Sequence, residues 1–274
     1  MIPINTKTFV THFVLLMSTV LSPLSAFDIE NLPVQSEGRI KPLDTFARNH
    51  LLRFYGKREV KEHQLKATDW LLDLILDPEN GRDLKIFNIR NPEVVSSLFL
   101  DWTTDHKYSY NEIIHGLKNQ LDLINTIDQK DNSDRSAFEK QLIELSQNAI
   151  IFEELIYMKN IKLIPPGLLD ENAVWQSPYD FIISGVTPAY HQEEILNSLQ
   201  KYLAARFQKN KSEMHSALTS YEKVTSELPM SSLDVKKLKD ETWMNEIDLF
   251  VKSLAFYILS FLLIGISWMV NPTF

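Results

Sequence analysis

Glu112 and His115 stand three residues apart in Glu-Ile-Ile-His, a spacing that puts both side chains on one helix face, as half of a di-iron site requires. Such a site needs the motif twice, and the chain carries it once, so Glu153 and Glu154 would have to lend the other carboxylates. A lone pair of this kind is expected by chance in a helical chain, and no metal site is assigned to it. His191 and Glu194 share a face in the same way and are expected on a solvated surface. His50 is the histidine to test first as a ligand; its competing role is a hydrogen bond to nearby backbone or carboxylate. Arg39, Lys41 and Arg48 gather three cations in one short stretch. Guanidinium grips a carboxylate through parallel hydrogen bonds, so this cluster can hold an anionic group, or it can pair with the chain's own acids. Covalent catalysis has no support: there is no cysteine, no Gly-x-Ser-x-Gly elbow, no His-Glu-x-x-His and no glycine-rich phosphate loop. The chain is not expected to be an enzyme.

The cations belong to residues 32–48, Leu-Pro-Val-Gln-Ser-Glu-Gly-Arg-Ile-Lys-Pro-Leu-Asp-Thr-Phe-Ala-Arg. Pro33 and Pro42 bias the residues before them toward extended backbone, and Gly38 permits a turn, which predicts an extended arm feeding a helix that starts near Pro42. Leu43, Phe46, Ala47, Leu51 and Phe54 give that helix one apolar face, with Asp44, Arg48 and Lys57 directed away from it. Thr68 is the predicted N-cap of a helix through Leu76, apolar nearly all round and closed by Pro78 and Asn80-Gly81. Residues 85–89 alternate as a short extended piece, and Asn91-Pro92 opens a helix to about Leu100. From Ser109 a helical stretch runs to a break at 131–133 and resumes over about 134–159 as an antiparallel hairpin. Residues 163–179 are the clearest break and a candidate subdomain boundary. Residues 189–207 and 212–226 form a second hairpin, and a last helix from Ser232 or Asp234 leads on toward 249.

Two apolar segments bracket this body. Lys7, the run 13–21 and the small residues ending at Ala26 form a secretory signal peptide over 1–26, cut after Ala26 or kept as an anchor. Residues 249–270 are 22 in number with Lys252 as their only charge. At 1.5 Å per residue such a helix spans about 33 Å, the thickness of a bilayer's hydrocarbon core. The expected fold class is therefore mainly α: an exported helical-hairpin or bundle domain over 27–248, a single C-terminal transmembrane helix over 249–270 and a cytoplasmic tail at 271–274. A formal charge of −8 argues against nucleic acid as a partner, which attracts basic surfaces. Without cysteine the chain has no disulfides, exchanges no thiols and forms no thioether to haem.

The 32–48 segment resembles the start of the extracytoplasmic part of the CcsA-type cytochrome c biogenesis proteins of system II, where a Val-Gln, Gly-Arg-Ile-Lys-Pro and Asp-Thr-Phe-Ala run is typical. Residues 241–247, Glu-Thr-Trp-Met-Asn-Glu-Ile, are similar to the acidic helix that precedes a membrane span there. The resemblance covers the leading extracytoplasmic region and first membrane helix. The tryptophan-rich haem-handling loop of those proteins has no counterpart here, so no haem-handling residue carries over. What the resemblance implies is an accessory subunit at the outer face of the bacterial inner membrane, working through a polytopic CcsA-like partner and possible contact with apocytochrome c. Haem would reach it through that partner; the residues to test for contact, chosen from their own chemistry and not from the resemblance, are Arg39, Lys41 and Arg48 against a propionate or an acidic loop and His50 as axial ligand. The alternative is a structural scaffold subunit of a respiratory or other membrane complex.

Overall fold

The computed structural model describes residues 28–60, 64–166, 174–228, 234–247 and 249–270, with side chains in the last stretch placed at 252–265. The expected signal peptide and tail, and part of the expected break at 163–179, lie outside the described residues. About 66% is helical, with 12 α-helices among the described residues, so the chain is mainly α. After a 3-10 turn (Ile29–Asn31), β1 (Pro33–Ser36) and β2 (Arg39–Pro42) form an antiparallel hairpin in the register Pro33 to Pro42. Glu37 (φ 53°) and Gly38 (φ 77°) make its two-residue turn, the left-handed pair a tight hairpin needs. The expected arm is thus a paired ribbon. Pro42 then caps α1 (Leu43–Tyr55) from outside rather than filling its first turn.

Beyond α1 come α2 (Ala67–Leu76), α3 (Pro78–Asp83), α4 (Pro92–Ser97), α5 (Tyr110–Asn119), α6 (Leu121–Asp128) and α7 (Ala137–Ile156). Three expectations need correction. Lys66, not Thr68, is the N-cap of α2; Thr68 is buried inside the first turn, and its hydroxyl finds no partner among the described residues. Asn80-Gly81 does not stop a helix but lies within α3, because Asp77 accepts the Asn80 N–H (3.3 Å) and Pro78 takes the first position. The stretch from Ser109 does break across 129–136, as expected, but it is also interrupted at Gln120 (φ −101°, ψ 9°), where its side chain donates to the Ser97 carbonyl (2.9 Å). Ser109 and Ser136 each close a capping box, with Glu112 and Glu139, which fixes where α5 and α7 begin. Two-residue ribbons join Glu59–Val60 to Leu65–Lys66 (β3, β4) and Phe87–Asn88 to Lys107–Tyr108 (β5, β6).

An aromatic cluster ties these elements together. The Phe54 ring lies 5.6 Å from Phe87, 6.1 Å from Trp70 and 6.1 Å from Phe152, and Phe152 stacks on Tyr110 at 5.1 Å. Rings offset or edge-on at such distances add to the burial energy. After α8 (Pro178–Ser184), α9 (Tyr190–Phe207) and α10 (Lys211–Ser226) form the second hairpin, joined by a three-residue link. Leu199 and Tyr202 of α9 belong to the same core cluster as Ile29, Leu43 and Leu163, so the core is continuous across 163–179. Arg206 bridges Asp69 (3.1 Å) and Asp73 (2.8 Å), locking α9 to α2.

Last come α11 (Val235–Ile247) and α12 (Leu249–Val270). The axes of Val235–Ile247 and Lys252–Gly265 differ by 51°, so the last helix does not run straight on into the apolar one. Phe256, Tyr257, Phe261 and Leu263 of α12 are exposed. Among the described residues no single helix is long and apolar enough to cross a membrane, whereas the bent pair passes by length and composition.

Candidate functional site

The 32–48 segment folds back on α11. The Arg39 guanidinium donates to both oxygens of Glu241 (2.8 and 2.9 Å), and the Thr45 hydroxyl donates to the same carboxylate (2.7 Å). One turn on, Asn245 donates to the Thr45 hydroxyl (2.8 Å) and to Asp44 (3.0 Å). Asp44 also accepts from Arg48 Nε through both oxygens (2.9 and 2.8 Å). Asp44 was expected to point away from the core; it is buried, because α11 covers that side of α1. Burying a carboxylate is tolerable only when its lone pairs are met, and Arg48 and Asn245 meet them. Burial pushes the Glu241 carboxyl up, but the hydrogen bonds from Arg39 and Thr45 outweigh it and hold the group below its ordinary range.

Lys41 is 2% exposed, and its ammonium reaches Glu37 at the hairpin turn (2.6 Å). That hydrogen bond holds the Glu37 carboxyl below its usual range. Gln35 ties the outer edge of the hairpin: its N–H reaches the Lys162 carbonyl (3.0 Å) and its side-chain oxygen accepts the Trp175 N–H (3.0 Å). On the other flank, Lys66 sits between Glu30 (3.0 Å) and Glu246 (3.1 Å). Arg39, Lys41 and Arg48 therefore lie in one region, each against a carboxylate of this chain. An incoming anion would have to compete with Glu241, Glu37 or Asp44.

His50 lies one turn past that cluster. Its Nδ1 is 2.9 Å from the Phe46 carbonyl, which can only accept, so Nδ1 carries the proton and Nε2 keeps the lone pair a metal would take. Its ring stands 4.2 Å from that of Phe46, and burial lowers its pKa, which keeps the imidazole neutral. Other candidates are engaged elsewhere. Glu112 closes its capping box and pairs with Lys85 (3.2 Å), Glu153 is bound by Arg82 (3.0 Å), and Glu154 accepts from Asn160. His115 is exposed. His191 corrects its expectation: it is buried, with Nε2 near the Pro166 carbonyl (3.2 Å), because the 165–166 segment lies over the start of α9. Among the described residues no group of three or more His, Asp or Glu is placed to hold a metal ion.

Glu241, Asn245, Asp44, Thr45, Lys66 and Gln35 were not among the site residues proposed from sequence, although Asp44 and the 241–247 helix had been noted for other reasons. The i, i+4 spacing of Glu241 and Asn245 was their available signal, since it aims two polar side chains at one neighbour. No family model matches the chain, and no curated protein matches it.

Proposed function

We propose that this chain is a membrane-anchored, extracytoplasmic accessory subunit of the CcsA-type cytochrome c biogenesis machinery, acting through a polytopic partner in the bacterial inner membrane. The observation that carries the reading is the packing of 32–48, the segment bearing the resemblance, onto α11, which directly precedes the apolar α12. In this reading 1–26 directs export and 249–270 is the tether, with the bend ahead of it laying α11 against the domain. The polar clamp then fixes the motif beside the tether, where a membrane partner can reach it. The chain's role is assembly or positioning rather than catalysis, and haem chemistry stays with the partner. His50 is the residue through which haem contact would occur.

Tagged full-length chain, purified from its own host in mild detergent, should bring with it a multi-span, tryptophan-rich protein. A clean deletion should deplete holocytochrome c. Normal holocytochrome c in that deletion strain refutes the proposal. For haem, titration of the purified chain should give a Soret band that His50→Ala shifts or removes, and equal spectra from the two proteins dismiss His50 as a ligand.

A further inference from the structure

Phe99 occupies a position that normally belongs to glycine. At the end of α4 the Leu100 N–H reaches back to the Val95 carbonyl (3.1 Å) and the Phe99 N–H to the Ser96 carbonyl (3.1 Å). This pair of bonds closes a helix by putting the residue after the cap in the left-handed conformation, and Phe99 has φ 59°. A side chain there crowds the following carbonyl, so a bulky residue is strained. The two capping bonds hold the backbone there, but no packing of the side chain adds to them, because Phe99 is 81% exposed. Trp102 is half-exposed three residues later, with its ring 4.5 Å from that of His106.

The backbone that presents these rings is fixed. Gly116 of α5 lies so close to Leu98 that a Cβ would sit 2.7 Å from its carbonyl oxygen and 2.8 Å from its Cα. The Tyr108 hydroxyl donates to the Asp101 carbonyl (3.0 Å) and accepts the Thr103 N–H (3.3 Å), and the Ile89 N–H reaches the His106 carbonyl (3.0 Å). A loop already ordered loses little entropy when it binds. Its own charged side chains are acidic: Asp101 and Asp105 are exposed and in no ion pair among the described residues, with Asp105 accepting the Lys107 N–H (3.3 Å) and Lys85, the cation near it, bound to Glu112 (3.2 Å). Met158 (φ 53°) and Lys209 (φ 56°) close α7 and α9 with the same pair of bonds, but Met158 packs against the core and Lys209 is polar. An aromatic ring kept exposed at such a position, on an ordered mount with two acids beside it, is unexplained by the stability of the fold and points to recognition.

We propose that loop 98–106 docks a separate protein chain, with Phe99 and Trp102 as apolar anchors and Asp101 and Asp105 selecting a segment that carries Lys or Arg beside its apolar residues. This surface is built on α4, β6 and α5 and does not depend on the membrane reading.

The test is a random peptide library panned against the full chain in nanodiscs, with Trp102→Ala protein as counter-selection. Enriched peptides should pair an aromatic or aliphatic residue with Lys or Arg. A synthetic peptide of that sequence should lose at least tenfold in affinity on Phe99→Gly, and likewise on the Asp101→Lys, Asp105→Lys double substitution. Phe99→Gly should at the same time raise the melting temperature by about 2–4 °C, since glycine relieves the strain. No enrichment, acidic peptides, or affinity within twofold on Phe99→Gly overturns the proposal. A lower melting temperature for Phe99→Gly makes the ring structural and overturns it as well. Binding to peptide-free vesicles, or self-association, that disappears with Phe99→Gly would assign the loop to lipid or to a second copy instead.

Discussion

Glu241→Ala removes at once the two hydrogen bonds from Arg39 and the one from Thr45 that hold α11 on the hairpin and α1. The Arg39 side chain is 52% exposed and that of Glu241 30%, so water reclaims part of the ion pair. The pair then contributes about 1 kcal/mol, the upper end for exposed bridges, as suits its bidentate geometry. The Thr45 bond adds about 1 kcal/mol. The sum, about 2 kcal/mol, corresponds to roughly 30-fold in an opening equilibrium. It should fall on α11 before the aromatic core, so amide exchange over 235–247 should quicken by about that factor while exchange around Phe54 and Phe152 stays the same. A double-mutant cycle with Arg39→Ala should isolate about 1 kcal/mol of coupling. That coupling should shrink between 0.1 and 1 M salt, as the screening length drops from about 10 to about 3 Å. Unchanged exchange in α11, or additivity within about 0.3 kcal/mol, refutes the clamp.

Gly116→Ala should destabilise the chain by about 2 kcal/mol despite better helix propensity, because the new methyl meets the Leu98 backbone. Gly38→Ala, with φ 77° and nothing within 4 Å, should cost only about 1 kcal/mol from strain; urea unfolding of both separates the two causes, and a stabilising Gly116→Ala refutes the close approach. Burial depresses the His50 pKa below that of the unfolded chain, so its contribution to stability is present above about pH 6.5 and is lost as pH falls through the folded value. His50→Gln should flatten that part of the stability profile, and an NMR titration placing His50 at or above 6.5 contradicts it. Asn148→Ala should cost about 1–3 kcal/mol in the same unfolding assay, because the buried Asn148 oxygen accepts from Arg53 Nε (2.5 Å) and ties α7 to α1; a loss below 0.5 kcal/mol would show the bond to be replaceable.

Local chemistry was legible where the signals were short-ranged. Ser109 and Glu112 announce the start of α5, and the apolar spacing of 189–207 and 212–226 announces the second hairpin, because capping and periodicity act within a few residues. Pro33, Gly38 and Pro42 announced extended backbone and a turn, but not that Glu37 would share the left-handed conformation and close a ribbon. The strands at 59–60, 65–66 and 107–108 are too short for an alternating pattern to register. Asp44 was misplaced for a different reason: helical spacing shows which face is apolar, not that Asn245 will come to lie over the polar one. The clamp therefore stayed hidden although both its halves had been noticed separately.

The partners in that clamp are 202 positions apart, Arg39 near the start of the body and Glu241 near its end. A ribosome adds about 5–20 residues per second, so the finished hairpin waits roughly 10–40 s for the helix that covers it. Through that interval the carboxylate of Asp44 has Arg48 but not Asn245, and Lys66 has Glu30 but not Glu246. A nascent chain halted before position 241 is thus unfinished at its beginning as well as at its end, and quality control has an early ribbon to inspect long before synthesis is over.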